Sequence, residues 1–313
     1  MKYINDLVRF FLTFLSFPYN LKREKLSKNQ ELIIQRIQEN LKNLIRESDD
    51  KLLTHQHFSN SVTSLIREGK LKNFLRKGFI QKMFFVHNRL FILKELNELK
   101  KNKKWFYYKK LLLEDDVGDP VRYFLYPSSS GNKINHVYHL SCLENTLNIE
   151  LQKIKNIFEF GGGYGCMARI FSNINNKISY KIFDTYIVNC LQYYYLKQNG
   201  LDVGFENNKF DLINNFEKIN DKVDFKNSLF IANWSLSEVP LDLRDNFVSL
   251  IGRYENIMIS FQENFENINN LKYFKNLQEN LKYKYNIKII LNKFYKGNIL
   301  KPEKHYFLFG KKL

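Results

Sequence analysis

Cysteine is scarce in this chain: three occur among 313 residues, Cys142, Cys166 and Cys190, with no C-x-x-C pair. An odd, widely spaced set excludes a disulfide framework and a thiolate zinc site, and it fits a reducing cytoplasm. Long apolar runs are missing as well. The apolar stretch near the N-terminus, Phe10 to Phe17, falls far short of the ~20 residues that a membrane-spanning helix needs. No small-residue cleavage site follows it before Pro18 and Tyr19, so a secretory signal is not expected. No internal repeat is visible. Acidic residues are the minority, 32 against 49 Lys and Arg, which leaves a net charge of +17.

That charge is unevenly placed, +11 over residues 1–118 and +6 over 119–313. A cationic excess can attract nucleic acid, anionic lipid or phosphorylated substrates. It also accompanies a chain rich in Lys, Asn and Ile, where Lys fills solvent-facing positions. What the sequence has in plenty is core material: 44% hydrophobic and 16% aromatic residues describe a globular protein, long enough for two domains.

The N-terminal stretch reads as a helix packing on the body. The alternative is peripheral attachment to a membrane through residues 1–28, helped by Lys22, Arg23, Lys25 and Lys28. From Ser27 the period is helical: Ser27 and Gln30 make a capping-box pair, and Ile34, Ile37, Leu41 and Leu44 recur on one face. Further helical runs are expected near 61–76, near 80–100 and over Trp105–Leu113. Residues 1–115 therefore read as an all-helical N-terminal region.

Punctuation follows, VGDP at Val117–Pro120 and PSSSGN at Pro127–Asn132, marking a loop-rich connector over 116–150 with a helix opening at NHVYHL, Asn135–Leu140. Over 151–313 strands alternate with helices. Strands are expected at Ile154–Phe160, Ser179–Phe183, weakly at Leu201–Phe205, then Ser228–Asn233 and Asn256–Phe261. Helices are expected at Cys166–Asn173, Val188–Gln198, Leu241–Arg253 and Leu271–Leu281. Two strand-like runs, Tyr285–Leu291 and His305–Gly310, close the chain without a helical crossover, which predicts an antiparallel pair at one edge of a parallel sheet.

The stretch that carries chemistry is IKNIFEFGGGYGCMARIF, Ile154–Phe171: a buried strand, a glycine-rich turn and a helix start. Such a turn presents bare backbone N–H groups at a helix N-terminus, with no Cβ to block a ligand. Two cofactor readings compete. Gly163-Tyr164-Gly165-Cys166-Met167-Ala168 fits G-x-G-x-x-A, a dinucleotide fingerprint. Glu159-Phe160-Gly161-Gly162-Gly163-Tyr164-Gly165 fits E-x-G-x-G-x-G, the first motif of class I S-adenosylmethionine-dependent methyltransferases. Asp184, ending the second strand, would accept hydrogen bonds from ribose hydroxyls under either. Glu159 favours the second reading, because a carboxylate there would answer the cationic amino group of a methionine moiety and repel a pyrophosphate.

From Val117 to the C-terminus the sequence resembles the sugar O-methyltransferases of bacterial surface-polysaccharide gene clusters. VGDP is similar to the family's V-G-N-P, with Asp119 in place of Asn; NHVYHL resembles its Tyr-His segment before the first strand; EFGGGYG resembles its E-I-G-G-G-Y-G. Asp184 matches its Asp, although Tyr186 stands where Pro is common. NWSLSEV, Asn233–Val239, resembles N-S-M-Q-E-M, and KHY, Lys304–Tyr306, a Lys/His-Asn-Tyr motif without the Asn.

The resemblance implies an α/β fold with a Rossmann-like class I methyltransferase sheet closed by an antiparallel strand pair. It implies S-adenosyl-L-methionine as cofactor, held by Glu159, Gly161, Gly162, Gly163, Tyr164, Gly165, Asp184, Thr185, Asn233 and Ser235. The expected activity is O-methylation of a sugar hydroxyl, on a sugar or a nucleotide- or lipid-linked sugar, in surface-glycan synthesis. The expected location is cytoplasmic, with peripheral contact at the inner membrane face as an option.

A hydroxyl is a poor nucleophile until a base removes its proton. Ligands bind at the C-terminal ends of strands in open α/β sheets, which nominates Glu238, His136, His139 and His305, with Glu238 or His136 as base and the others positioning sugar hydroxyls. His136-x-x-His139 with Glu144 is not expected to hold a metal. His55-x-His57 reads as a solvated loop and the Tyr193–Tyr195 run as packing. Two rivals stand beside this reading. One is a methyltransferase acting on nucleic acid or another small molecule, disfavoured because Asn233-Trp234-Ser235-Leu236 is not an N-P-P-Y/F motif. The other is a non-catalytic, membrane-associated scaffold with a degenerate cofactor fold.

Overall fold

The helical period read from Ser27 onward is what the chain folds into in the computed structural model, which describes residues 27–44, 56–84, 89–219, 224–294, 297–298, 301–302 and 304–313. The expectation of membrane contact through residues 1–28 falls almost wholly outside them, as does His55. Helices α1 (Lys28–Leu44), α2 (Gln56–Arg67), α3 (Gly78–Phe84), α4 (Leu90–Lys101) and α5 (Trp105–Leu111) come first. Before residue 116 every regular element among the described residues is helical. The capping box is formed: Ser27 N–H donates to Gln30 Oε1 at 2.8 Å, and Gln30 N–H to Ser27 Oγ at 3.3 Å. The run expected over 80–100 is two helices, α3 and α4.

The stretch read as a loop-rich connector carries more structure than its turn residues implied. Strands β1 (Arg122–Tyr123) and β2 (Tyr126–Ser130) form a hairpin, and helix α6 (Gly131–Leu147) begins four residues before the expected Asn135. Ser130 Oγ accepts from Lys133 N–H at 3.1 Å, supplying the N-terminal cap. In VGDP, Gly118 has φ +78 and Asp119 φ +55. A Cβ on Gly118 would lie 2.4 Å from the Phe74 ring. Asp119 tolerates the left-handed backbone as Asn would, and its carboxylate adds an ion pair to Arg76 Nε at 2.5 Å.

Strand β3 (Asn156–Phe160) leads through the glycine turn to α7 (Cys166–Ile174), then β4 (Ser179–Phe183) and α8 (Tyr186–Gln198). The expected third strand at Leu201–Phe205 is only the two-residue β5 (Val203–Gly204). The working strand is β6 (Phe210–Ile213), which pairs with β4. Strand β7 (Ser228–Asn233), helix α9 (Leu241–Ile251) and strand β8 (Asn256–Gln262) follow. A small hairpin, β9 (Asn264–Phe265) with β10 (Ile268–Asn269), precedes α10 (Asn270–Leu281). The chain closes with β11 (Tyr285–Leu291), the short pair β12 (Gly297–Asn298) and β13 (Lys301–Pro302), and β14 (His305–Lys312).

Eight strands lie in the order β11-β14-β8-β7-β3-β4-β6-β5. The pairs β4/β6, β3/β4, β3/β7 and β7/β8 are parallel; β8/β14 and β14/β11 are antiparallel. This is the expected α/β fold: a doubly wound Rossmann-like sheet of the class I methyltransferase type, closed by an antiparallel pair. The strand order reverses beside β3, which puts a topological switch point at the glycine turn.

The chain divides into two compact units. One comprises Met1–Tyr138, Gly163–Arg169 and Thr185–Val203; the other comprises His139–Gly162, Ile170–Asp184 and Gly204–Leu313. In the second, one sheet face contributes Phe158, Phe160, Phe183, Phe230, Ile257 and Ile259 to a core shared with Phe247, Leu250, Phe274 and Leu277 from α9 and α10. In the first, Tyr164 packs edge-on against Phe74 and Tyr195. Beneath it Lys133, wholly buried, donates to the Leu113 carbonyl at 2.8 Å and meets Glu114 and Asp115, each at 3.1 Å. Arg169 completes that ion network on Asp115 at 2.8 Å.

Candidate active site

The glycine turn takes a backbone that side chains resist. Gly161, Gly163 and Gly165 have φ of +71, +55 and +98, all in or near the left-handed region that costs other residues roughly 1–2 kcal/mol each. Gly161 N–H donates to the Phe183 carbonyl at 2.8 Å, tying the start of the turn to the end of β4. Its position is also crowded, since a Cβ there would come within 2.2 Å of Ser235 Cβ. Ser235 Oγ donates to the Phe160 carbonyl, so the segment after β7 is latched onto the end of β3.

Glu159 lies two residues before the turn, on the face opposite Phe158 and Phe160. It is 2% exposed, and Tyr180 from β4 donates its hydroxyl to Oε2 at 2.8 Å. Burial pushes its pKa up to about 8; the Tyr180 bond opposes the shift and the Asp184 charge adds to it. The sequence-based expectation treated Glu159 as a standing carboxylate. In the protein alone it holds a proton at neutral pH, and a cation beside it would release that proton. Asp184 sits at the mouth of β4, half-buried, its N–H donating to the Ile213 carbonyl at 2.9 Å.

The end of β7 gathers the other sheet-unit candidates. Asn233 Oδ1 accepts from Ser260 Oγ at 2.5 Å, while its Nδ2 is buried with no hydrogen-bond partner among the described residues. Exchanging the amide O and N would move the orphan to the other atom without removing it. Trp234 follows with φ +62, a conformation that an aromatic residue adopts only under tertiary constraint. The constraint is visible. Trp234 N–H donates to the Ser260 carbonyl at 2.8 Å and its indole Nε1 donates to His305 Nδ1 at 2.9 Å. The His139 ring packs 5.4 Å from it, and Phe307 packs edge-on against His139 at 4.7 Å. Three motifs far apart in sequence, NHVYHL, NWSLSEV and KHY, therefore meet at one indole.

A short 3-10 turn, Ser235–Glu238, carries Glu238 to the edge of this cluster. Gln262 Nε2 donates to Glu238 Oε1 at 3.3 Å, and Ser237 Oγ, placed against Gln262 Oε1 at 2.8 Å, fixes the amide. The turn is held from behind by Arg244, which is fully buried. Its guanidinium donates to the carbonyls of Ser237 (2.7 Å) and Val239 (2.8 Å) and to Asn270 Oδ1 (2.7 Å). Burial lowers its pKa from the usual arginine value.

In the other unit, Tyr164 is buried and its hydroxyl accepts from Asn132 Nδ2 at 3.2 Å. Gln192 Nε2 donates to the Gly163 carbonyl at 3.0 Å. Thr185 caps α8 through its backbone carbonyl, which accepts from Asn189 N–H at 2.9 Å. His136 Nδ1 is 2.9 Å from the Asn132 carbonyl, which fixes the proton on that nitrogen; burial pushes its pKa down to about 4. Among the described residues no group of three His, Cys, Asp or Glu is arranged to hold a metal, and no helix is long and apolar enough to cross a membrane.

Sequence reading missed Trp234, Tyr180, Gln262 and Arg244. Trp234 could have been flagged as the bulkiest residue in NWSLSEV. The other three act through neighbours brought by strand pairing and helix packing, for which the linear sequence holds no signal.

No family model matches the chain, and no curated protein matches it. Solved structures do. A precorrin-6y C5,15-methyltransferase from Geobacter metallireducens aligns over 58% of this chain and 89% of its own, at 12% identity and a TM-score of 0.41. An rRNA methylase from Streptococcus thermophilus aligns over 58% and 95%, at 12% identity and 0.39. A SAM-dependent methyltransferase from Aquifex aeolicus aligns over 54% and 89%, at 11% identity and 0.39. The fold stands on the strand order itself.

Proposed function

We propose that the chain is an S-adenosylmethionine-dependent O-methyltransferase acting on a sugar hydroxyl in bacterial surface-glycan synthesis. The observation that carries the cofactor assignment is the turn: three alternate glycines in positive-φ conformations follow a buried glutamate at the C-terminal end of the central strand. The residues fit the group. Glu159 offers a carboxyl that would give up its proton to solvent beside the positive charge of a methionine ammonium, Asp184 offers acceptors for ribose hydroxyls, and the orphaned Asn233 amide offers a donor. In the same unit the backbone of Gly161 and Gly162 and Ser235, latched to the end of β3, complete the set, and the sequence motif adds Gly163, Tyr164, Gly165 and Thr185. When bound, this cofactor supplies a methyl group on a sulfonium.

The chain's own part is to bind, align and deprotonate the acceptor. Glu238 takes the hydroxyl proton, its Oε1 oriented by Gln262. His305 accepts from Trp234 at Nδ1, so in its neutral form it carries its proton on Nε2 and serves as a donor to the acceptor rather than as base. His139, buried between aromatic rings, positions Trp234. His136, pushed down to about 4, is neutral at pH 7 and a weaker base there than the task favours. The sugar assignment draws on the resemblance of the flanking motifs, three of which converge on Trp234. The test is methyl transfer from labelled cofactor to extracted nucleotide-sugar and lipid-linked sugar pools, read by mass spectrometry. A methylated glycosyl species supports the reading; label appearing only in RNA would refute the sugar assignment.

A further inference from the structure

A second surface, independent of the reaction above, lies on α4, α5 and the turn between them. Residues 89–113 contain eight Lys and Arg against two acids. Of the acids, Glu95 is wholly buried, receives Asn135 Nδ2 at 3.0 Å and is pushed up to about 8 by burial; Glu98 is paired with Lys101 at 3.0 Å. Seven of the cations are exposed lysines, and the one arginine, Arg89, is half-buried. Set among them are apolar side chains that folding leaves outside: Phe106 is 80% exposed, Leu90 68% and Leu113 58%.

From α5 into the residues after it, the outward face differs from that of an ordinary surface helix in carrying large apolar side chains among its lysines. Tyr108, Leu111 and Leu112 face inward, while Phe106, Lys109, Lys110 and Leu113 recur outward at three- and four-residue intervals, next to Lys103 and Lys104. An exposed phenylalanine ringed by lysines costs solvation unless something apolar and anionic covers it. A bilayer with acidic headgroups is both: lysines stay at the phosphate level while the aromatic ring enters the acyl boundary. Nucleic acid would share the charge term, but its recognition favours Arg for bidentate phosphate and base contacts, and no exposed arginine is present here. We infer that the α4–α5 lysine face, centred on Phe106, docks the protein on an anionic membrane surface.

The test is flotation of the full chain with vesicles of phosphatidylcholine alone or phosphatidylcholine with phosphatidylglycerol. Binding is expected only to the anionic vesicles and should weaken with salt. Lys109→Ala/Lys110→Ala should lower the partition coefficient about thirtyfold, and Phe106→Ser about tenfold. All three side chains are exposed, so the melting temperature should hold; Lys103→Ala/Lys104→Ala serves as an independent second pair with the same expected loss. Equal binding to neutral and anionic vesicles would overturn the inference, and so would undiminished binding by both lysine pairs, which would move the attachment elsewhere on the chain. Failure to float, with tight binding of a single-stranded RNA oligonucleotide lost in the same variants, would assign the face to nucleic acid instead.

Discussion

Replacing Gly161 by alanine tests whether the glycine turn is built as described. Two separable costs follow from the structure. At φ +71 a Cβ is disfavoured by roughly 1–2 kcal/mol. The same Cβ would stand 2.2 Å from Ser235 Cβ, and relieving that overlap means moving the segment that latches β7 to β3, a further cost of about 1–3 kcal/mol. The sum is about 2–5 kcal/mol, measured as a lowered urea midpoint. Ser235→Gly separates the two. It gives up the bond to Phe160, about 1 kcal/mol, but makes room, so in that background Gly161→Ala should cost only the backbone part. The double-mutant cycle should show a coupling of about 1–3 kcal/mol between the two sites. A Gly161→Ala variant within about 0.5 kcal/mol of the parent, or a cycle with no coupling, would refute the close approach.

Three other outcomes follow from the same geometry. Glu159 and Glu95 are buried acids whose folded pKa rises from 4.5 to about 8. Each raised pKa stabilises the fold fully below about pH 4.5, and that contribution is lost as pH rises towards 8. The loss is on the order of 5 kcal/mol per group, and Glu159→Gln or Glu95→Gln should each flatten part of the slope in stability measured across that window. Arg244→Met should destabilise by about 3 kcal/mol in urea titration, because three acceptors lose their donor inside the protein. Glu238→Gln should leave cofactor affinity unchanged and slow transfer by about 10²-fold or more under single-turnover conditions; undiminished turnover would remove Glu238 as the base.

How much of this was legible in the sequence depends on how local each feature is. Strands β3, β7 and β8 were readable because each is a largely apolar run buried along nearly all its length, β11 because Tyr285, Ile287 and Ile289 alternate with polar residues, and the turn after β3 because its motif is contiguous. Strand β6 was not. FDLI is four residues long behind a polar stretch, and the stronger apolar signal of Leu201 and Val203 drew the expected strand to what is only a two-residue piece. PSSSGN reads as turn, yet its serines pair in a hairpin and cap α6, because two-stranded pairing and N-capping both tolerate turn-forming residues. In the site, Glu159 was identifiable but its protonation was not, since Tyr180 and Asp184 come from the neighbouring strand. His139 and His305 were each noticed within separate motifs, whereas Trp234, which joins them, was not; their meeting depends on the β8–β14 register, which sets His305 opposite Gln262.

The most direct measurement of the central claim is the thermal stability of the chain with S-adenosylhomocysteine, and in parallel with NADH. A ligand held only by the folded state at 100 times its Kd adds about 2.7 kcal/mol, a rise in Tm of about 5 °C for a chain of this size. That rise is expected with S-adenosylhomocysteine, together with its loss in Gly161→Ala and no response to NADH. No shift at millimolar S-adenosylhomocysteine would contradict the central claim, and a shift with NADH instead would return the turn to the dinucleotide reading.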